Sequence, residues 1–146
     1  FTGYSAICLA KGLKPGGKLI TIELNDEIYD FSKQYFEKTG LSSSIVQMTG
    51  KAQDIVPSLD GLFDLVYIDG DKREYCDYFR LVKDKVKKYG YILADNVLWG
   101  GKVMNKKNRD AQTREIMEFN NLIIRESGFE NAILPIRDGL MIIRKL

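Results

Sequence analysis

Segments with a strand pattern and segments with a helix pattern alternate along almost the whole chain. Short apolar runs such as "GKLITIE", "LFDLVYIDG" and "GYILADN" are separated by stretches in which apolar side chains recur every three or four residues, such as "NDEIYDFSKQYFEKTG". This alternation is typical of βαβ units, in which parallel strands are joined by crossover helices. The sequence therefore predicts an α/β fold with a mostly parallel sheet.

The two ends of the chain differ from this pattern. The last two predicted strands, "FENAILPI" and "LMIIRKL", are separated only by the turn "RDG". This connection is too short for a crossover helix, so we expect an antiparallel C-terminal hairpin. At the other end, "FTGYSA" is similar to the turn between a first strand and a first helix, yet no strand pattern precedes it. Because a parallel sheet without that strand would leave backbone groups unpaired, we expect that the first strand is missing from this chain.

Three helices have predicted ends. Asn25 or Asp26 is expected to cap the first of them, and Asp110 is the candidate N-cap of a helix over residues 110–127. Residues 73–88 are predicted to form a helix with an apolar stripe of Tyr75, Phe79, Val82 and Val86.

The chain contains no histidine. Ser-His-Asp triads, Cys-His pairs and His-ligated zinc sites are therefore excluded. A general base must be a carboxylate, lysine, tyrosine or cysteine, and oxygen is the expected ligand atom for any metal ion.

Length and charge set further bounds. The 146 residues fit one domain over residues 1–146, and the net charge of +2 gives no reason to require a nucleic-acid or membrane partner. No apolar run approaches the roughly 18 residues that a membrane span needs. Cys8 and Cys76 have no metal-like spacing, and we interpret them as reduced thiols of a cytoplasmic protein.

Acidic and amide side chains stand where predicted strands end. Glu23 ends "LITIE", Asp69 follows "LVYI", and Asp95 with Asn96 ends "YILADN". Since ligands of open α/β sheets bind outside the carboxyl ends of the strands, we expect these side chains at one rim. Asp69, Asp95 and Asn96 together are an all-oxygen set that suits Mg²⁺ or Ca²⁺.

Each of these residues also has a purely structural interpretation. Glu23 lies 20 residues after Gly3, a spacing seen between the glycine turn and the ribose-binding acid of nucleotide sites, and this favours the functional interpretation over a solvated residue before a helix. Asp69 could be a helix N-cap, and Asp95 with Asn96 could be a turn pair.

Two further side chains are candidates. Lys72 is ordinarily a surface lysine in such a context, but three residues beyond a metal ligand it becomes a candidate general base, because a neighbouring cation and burial both favour the neutral amine. Trp99 follows on the glycine-flanked loop "NVLWGG". Its indole could cover a flat substrate or pack beneath the loop.

At "FTGYSA", "ITIE", "YIDGDKREY", "LADNVLWGGKV" and "LPIRDGL" the sequence resembles the cation-dependent O-methyltransferases. This group contains catechol and caffeoyl-CoA O-methyltransferases and many bacterial relatives. The resemblance implies a Rossmann-like class I methyltransferase sheet with a reversed last strand, preceded by N-terminal segments that this sequence lacks. It also implies a homodimer and a hydroxylated small molecule as the methyl acceptor.

The resemblance assigns roles to individual residues. Asp69, Asp95 and Asn96 look like the ligands of a divalent cation, with Mg²⁺ preferred over Ca²⁺ or Mn²⁺, and Lys72 looks like the base that takes the acceptor's hydroxyl proton. The residues that match the binding site for S-adenosylmethionine (SAM) are Gly3, Tyr4, Ser5, Glu23, Gly50, Ala52, Gln53, Asp69 and Asp71.

The residues that match the SAM site correspond to different parts of the cofactor, and two positions separate this chain from some relatives. Gly3, Tyr4 and Ser5 match the turn around the methionine moiety, whereas Ala52 and Gln53 match the stretch beside adenine. Asp71 matches an acid of the caffeoyl-CoA branch near the cofactor's amino group. Animal catechol enzymes have tryptophan there, which argues against an animal-type catechol site. Lys51 replaces a residue that is small or acidic in relatives.

Three other functions stay open. Some bacterial relatives methylate a hydroxylated uridine in tRNA, and the basic run "KVMNKKNRD" could contact phosphates or be a solvated loop. An NAD-dependent oxidoreductase could use the same Glu23, but it leaves Asp69, Asp95 and Asn96 unexplained. A non-catalytic nucleotide-binding protein is the third alternative.

Overall fold

The computed structural model describes residues 2–105, 107 and 110–146. The chain divides into two compact units, Phe1–Leu59 and Asp60–Leu146. The helices and strands of the first unit are α1 (Tyr4–Ala10), β1 (Leu19–Glu23), α2 (Tyr29–Lys38), β2 (Ile45–Thr49) and α3 (Ala52–Ile55). Those of the second unit are β3 (Phe63–Ile68), α4 (Tyr75–Val82), β4 (Val86–Asp95), α5 (Ala111–Arg125), β5 (Phe129–Leu134) and β6 (Leu140–Lys145).

The first unit contains a two-stranded parallel sheet. The register of β1 and β2 runs from Leu19 opposite Ile45 to Glu23 opposite Thr49. The side chain of Asn25 accepts a hydrogen bond from the amide of Glu27, so Asn25 caps the short 3₁₀ turn before α2. The buried core of this unit consists of Ala6, Ala10, Phe36 and Ile45.

The second unit contains a four-stranded sheet in the order β3-β4-β6-β5. β3 and β4 are parallel, whereas β6 is antiparallel to both of its neighbours. The antiparallel pairing of β5 with β6 confirms the predicted C-terminal hairpin, and the Asp110 side chain caps α5 as predicted, accepting from the amide of Thr113 at 2.8 Å.

Aromatic rings and branched side chains fill the core of the second unit. Phe79 of α4 meets Phe119 of α5 edge to face, with ring centroids 6.5 Å apart, and both side chains are fully buried. Ile92 and Met141 cover the core from the sheet. Burial of each such side chain contributes about 1.5–3 kcal/mol to folding.

The predicted helix over residues 73–88 is too long at both ends. Residues 72–74 and 83–85 form 3₁₀ turns, α4 ends at Val82, and Val86 is the first residue of β4. Val86 is only 1% exposed, so its burial fits a helical stripe and a buried strand equally well. The side-chain amine of Lys145 donates to the backbone oxygens of Lys83 and Val86, which stabilises the change from helix to strand.

Parts of two predicted motifs lie outside the described residues. These are Phe1 of "FTGYSA" and, in "KVMNKKNRD", Lys106, Asn108 and Arg109. Within the described part of the chain, no helix combines the length and the apolar character needed to cross a membrane.

Candidate active site

Asp69 and Asp95 lie side by side at the ends of two hydrogen-bonded parallel strands. Ile68, the last residue of β3, is paired with Ala94 of β4. The next residue of each chain segment is therefore an aspartate, and neighbouring strands lie about 4.8 Å apart. The register alone thus brings the two carboxylates together at the carboxyl end of the sheet.

Lys72 reaches back to this strand end from the following turn. Its amine donates to Oδ1 of Asp69 at 2.9 Å and to the hydroxyl of Tyr75 at 2.7 Å. Lys72 is only 8% exposed, whereas the Asp69 side chain is 44% exposed. A buried ammonium is tolerated only where such partners replace water, so the interpretation of Lys72 as an ordinary surface lysine is wrong.

Two tyrosines connect this group to Asp95. The Tyr67 hydroxyl donates to Oδ2 of Asp95 at 2.8 Å, and the Tyr75 hydroxyl donates to the Asp95 backbone oxygen at 2.9 Å. Burial first, and then the nearby carboxylates of Asp69 and Asp95, raise the pKa of both phenols far above the usual value. Both hydroxyls therefore keep their protons at neutral pH and act as donors.

Cys76, the cysteine that follows Tyr75, is not a usable base or nucleophile. Burial, followed by the hydrogen bond to Glu115, raises the pKa of its thiol to about 12. Among the residue types that the sequence left open as a base, lysine and carboxylates remain around the ends of β3 and β4.

Asn96 follows Asp95 in a turn with an unusual backbone. The Asn96 amide donates to Oδ1 of Asp95 at 2.7 Å, and its backbone oxygen accepts from the amide of Trp99 at 3.1 Å. Its φ of 59° is in the left-handed region, which asparagine tolerates better than most residues. The turn-pair interpretation therefore holds for Asn96, which begins the turn, but not for Asp95, which is the last residue of β4. The Asn96 side chain has no hydrogen-bond partner among the described residues.

The segment after Asn96 is held by the turn before β6. The amide of Val97 donates to the Gly139 backbone oxygen, and the amide of Leu98 donates to that of Asp138. The Asp138 carboxylate accepts from the amide of Gly100. Gly139 has a φ of +83°, and a Cβ there would lie 2.5 Å from Cγ of Leu98, so no side chain fits.

The chemistry of the three predicted metal ligands fits a hard cation. Asp69, Asp95 and Asn96 provide two carboxylates and one amide, which are ligand types of Mg²⁺ and Ca²⁺. No group of three or more His, Cys, Asp or Glu side chains suited to a metal occurs within residues 2–105, 107 and 110–146. An ion held here would therefore complete its coordination with water or substrate, as Mg²⁺ usually does.

Asp71, rather than Asp69, caps the turn that carries Lys72. Its Oδ1 accepts from the amide of Arg73 at 2.9 Å, and the Arg73 side chain forms an ion pair with it. Hydrogen bonds from the Arg73 side chain and backbone lower the pKa of Asp71 to about 2, so it is ionised at neutral pH. The N-cap interpretation of Asp69 is wrong, and a ligand amine at Asp71 would have to share the carboxylate with Arg73.

Most residues expected to hold the cofactor belong to the first unit. Gly50 donates its amide to the backbone oxygen of Glu23 at 2.9 Å, which places the end of β1 beside the turn that begins α3. Oε1 of Glu23 accepts from the amide of Asn25 at 3.0 Å. Ala52 and Gln53 form the first turn of α3, which contacts β1.

The glycine turn precedes α1. Gly3 has a φ of 83° and lies so close to α2 that a Cβ would meet the Phe36 ring at 2.7 Å. Tyr4 is 75% exposed, and Ser5 is also exposed. The close packing of Gly3 is what lets α1 begin directly against α2.

Trp99 is half-buried. Its indole nitrogen is buried and has no hydrogen-bond partner among the described residues, while the amine of Lys102 lies 5.5 Å from the ring centroid. These contacts favour the interpretation in which the indole packs beneath the loop.

Three polar residues of this site escaped the sequence analysis. Tyr67 lies two residues before Asp69, so strand alternation places both side chains on the same side of β3, which was a usable signal. Tyr75 was predicted only as part of an apolar stripe, although it stands one helical turn after Lys72. No local pattern marks Asp138, because its partners lie 38 residues or more away in sequence.

Solved structures with the same fold define the class of protein. The chain matches the O-methyltransferase TomG from Streptomyces achromogenes, solved in complex with SAM, with a TM-score of 0.92 and 27% identity over 99% of this chain and 69% of that chain. It matches an O-methyltransferase from Bacillus cereus, solved in complex with SAH, with a TM-score of 0.92 and 27% identity over 99% and 70% of the two chains. The predicted Rossmann-like class I methyltransferase fold is thereby confirmed.

The family follows from sequence comparison. A family model described as O-methyltransferase matches residues 1–146, and the chain therefore belongs to this family. Caffeoyl-CoA O-methyltransferase 1 of Nicotiana tabacum is 31% identical over the whole chain, which spans 66% of that protein. The caffeoyl-CoA O-methyltransferase of Pinus taeda is also 31% identical, and the chain spans 61% of it. The chain thus spans less than two thirds of either relative, and the predicted family resemblance is confirmed.

Proposed function

We propose that the protein is a SAM-dependent, divalent-metal-dependent O-methyltransferase. It acts on a hydroxyl of a catechol-like molecule or of another small molecule with two neighbouring oxygens. The observation that carries this proposal is the buried amine of Lys72, bonded to Asp69 at 2.9 Å beside the strand that ends in Asp95 and Asn96. An amine next to an all-oxygen ligand set suits proton removal from a hydroxyl held at the same place.

Different residues of the chain would remove the proton and hold the cation. Lys72 would take the proton of the acceptor hydroxyl. Bound SAM would supply an electrophilic methyl group, whose bond to the sulfonium sulfur breaks as the acceptor oxygen bonds to it, so that SAH is the leaving group. Asp69, Asp95 and Asn96 would hold the cation, with Mg²⁺ preferred over Ca²⁺ or Mn²⁺. A bound divalent cation polarises the acceptor oxygens and makes the hydroxyl more acidic. Orientation of both reactants contributes further to the rate.

The proposed cofactor contacts are those that the sequence resemblance assigns. Gly3, Tyr4 and Ser5 would hold the methionine moiety, and Glu23 would accept hydrogen bonds from the ribose. The residues proposed around adenine and the amino group are Gly50, Ala52, Gln53, Asp69 and Asp71. The two similar solved structures bound to SAM and SAH support SAM rather than NAD.

The acceptor class is supported by the relatives named for caffeoyl-CoA, which carries a catechol ring. Methylation of a hydroxylated uridine in tRNA is the second candidate, favoured by the basic run "KVMNKKNRD". We further propose one methyltransferase domain, a homodimer and a cytoplasmic location. Two free cysteines fit a reducing compartment.

A methyl-transfer screen of the full-length protein tests the proposal. The protein is incubated with SAM and Mg²⁺, and the products from catechols and from hydroxylated tRNA are identified by mass spectrometry. We expect a single added methyl on a catechol oxygen. A product found only on tRNA would move the assignment to the second candidate. Absence of methyl transfer, together with tight calorimetric binding of NAD and none of SAM, would contradict the proposal.

A further inference from the structure

The hydroxyl of Tyr75 occupies a central position next to the proposed base. Tyr75 is fully buried, and its hydroxyl lies 2.7 Å from the amine of Lys72 and 2.9 Å from the backbone oxygen of Asp95. The Lys72 amine also lies 4.8 Å from the centroid of the Tyr75 ring. Nothing about a core aromatic residue requires this polar contact, since a phenylalanine would fill nearly the same volume.

The hydrogen-bond directions at Tyr75 are set by its partners. A backbone oxygen can only accept, so the Tyr75 hydroxyl donates to Asp95 and accepts from Lys72. The ring is held edge to face against Phe119, with centroids 5.4 Å apart. The hydroxyl oxygen is therefore a fixed acceptor, tied to the last residue of β4.

This acceptor constrains the lone pair of Lys72. A neutral amine has two N–H bonds and one lone pair in a tetrahedral arrangement. If the two N–H bonds are directed to Asp69 and Tyr75, as the distances of 2.9 and 2.7 Å indicate, the lone pair is left at a defined remaining position. An amine bonded only to Asp69 could place its lone pair at either of the two remaining tetrahedral positions, and the bond to Tyr75 selects one of them.

We propose that Tyr75 is a positioning residue whose buried hydroxyl fixes the Lys72 amine in the orientation that takes the acceptor's proton. This inference rests on the proposed function, because it assigns a partner to the base of that reaction. Tyr75 does not touch the reacting atoms. Its contribution is the orientation of Lys72 relative to Asp95 and hence to the acceptor.

The test uses acceptors that differ in their need for a base. Catechol is protonated at neutral pH, whereas 4-nitrocatechol is already largely ionised there. In the full-length protein with saturating Mg²⁺ and SAM, we expect Tyr75→Phe to lower kcat for catechol by about tenfold or more, a part of the full effect of a general base. For 4-nitrocatechol we expect a change of less than about twofold, by the same reasoning. KM for both acceptors should stay the same.

The neighbouring tyrosine provides a matched control. The Tyr78 hydroxyl donates to Glu74 at 2.6 Å and is not bonded to Lys72. Tyr78→Phe therefore removes a partly buried hydroxyl from the same helix, and it should leave the ratio of the two kcat values unchanged. In a Lys72→Met background, Tyr75→Phe should cause no further loss with catechol, because the group that it positions is gone.

Several outcomes would overturn the inference. These are an unchanged kcat for catechol, an equal loss with both acceptors, or a full further loss in the Lys72→Met background. If Tyr75→Phe does not fold, 3-fluorotyrosine at position 75 keeps the shape and weakens the acceptor, and it should selectively slow catechol. If the 3-fluorotyrosine protein methylates catechol at the wild-type rate, the inference is overturned. A wild-type protein without methyl transfer to either acceptor would instead overturn the proposed function itself.

Discussion

The buried side chain of Lys72 is held by two hydrogen-bond partners. It is 8% exposed and is bonded to Asp69 and Tyr75. Because the Asp69 side chain is 44% exposed, water reaches one side of this pair. The arrangement keeps the amine anchored while leaving a path for protons to solvent, which suits a base that must be regenerated in each cycle.

The first prediction concerns this amine. Lys72→Met should lower kcat by about 10²-fold or more, the range typical of general acid–base catalysis. SAM and metal affinities, measured by calorimetry, should change little, because Lys72 is neither a proposed ligand of the metal nor a proposed contact of the cofactor. The rate should be measured at neutral pH with saturating Mg²⁺ and catechol.

Lys33, which is exposed on α2, provides the control for Lys72. Lys33→Met should change kcat by less than about threefold, since exposed substitutions usually have small effects. If Lys72→Met were as active as Lys33→Met, Lys72 would not be the base.

The second prediction concerns Asp69. Asp69→Asn keeps an oxygen that can accept from Lys72 but removes the negative charge expected to hold the cation. Binding of Mn²⁺, followed by electron paramagnetic resonance, should weaken by about tenfold or more, because carboxylate charge sets the affinity of hard-cation sites. The Asp77 side chain is 66% exposed and pairs with Arg80 on α4, so Asp77→Asn should bind Mn²⁺ like wild type. Equal Mn²⁺ affinity in the two variants would remove Asp69 from the ligand set.

At the level of single residues, the sequence could predict the candidate site only in part. Asp69 and Asp95 were located because apolar runs mark where strands end. The role of Tyr75 was not predicted. Its ring fills the core and its hydroxyl bonds Lys72, but the apolar periodicity of a helix indicates only the core position.

At the level of elements, the turn before β6 holds the segment that follows Asp95 and Asn96. Gly139 and Asp138 accept the amides of Val97 and Leu98. The left-handed backbone of Asn96 is thereby flanked by a segment that cannot shift without breaking these bonds. The turn thus fixes the direction of a proposed metal ligand from a different part of the chain.

The third prediction tests how closely the turn before β6 packs against Leu98. Gly139 and Gly61 have nearly equal φ values of +83° and +80°, but a Cβ at Gly139 would lie 2.5 Å from Leu98, whereas nothing lies within 4 Å at Gly61. Both alanine variants carry a left-handed penalty of about 1–2 kcal/mol. Gly139→Ala should lose about 1–3 kcal/mol more, because overpacking adds to that penalty.

Urea unfolding of both glycine variants measures the difference. A larger loss in the free energy of unfolding for Gly139→Ala than for Gly61→Ala supports the close packing of the turn against Leu98. Equal losses would mean that the left-handed backbone alone accounts for the effect and that Leu98 moves aside without cost.

Element ends were the least predictable part of the fold. Helix α4 ends at Val82 rather than at residue 88, because the chain leaves the helix through Lys83–Lys85 and enters β4 at Val86. The amine that stabilises this exit comes from Lys145, at the far end of the chain. A partner so distant in sequence leaves no local signal.

At the level of the whole molecule, the alternation of strand and helix patterns along the sequence was enough to predict the fold class. The parallel pairs β1–β2 and β3–β4 and the antiparallel hairpin β5–β6 follow from connection lengths. The division into two units, Phe1–Leu59 and Asp60–Leu146, could not be predicted from the sequence, because strand patterns do not reveal which strands share a sheet.

The fourth prediction is the most direct test of the central claim, which is metal-dependent methyl transfer to a hydroxyl. The measurement is the rate at which the full-length protein transfers a labelled methyl group from SAM to catechol, first as prepared, then after exhaustive chelation, and then after Mg²⁺ is restored. The all-oxygen set of Asp69, Asp95 and Asn96 predicts that chelation abolishes transfer and that Mg²⁺ restores it. Full transfer after exhaustive chelation would contradict the claim.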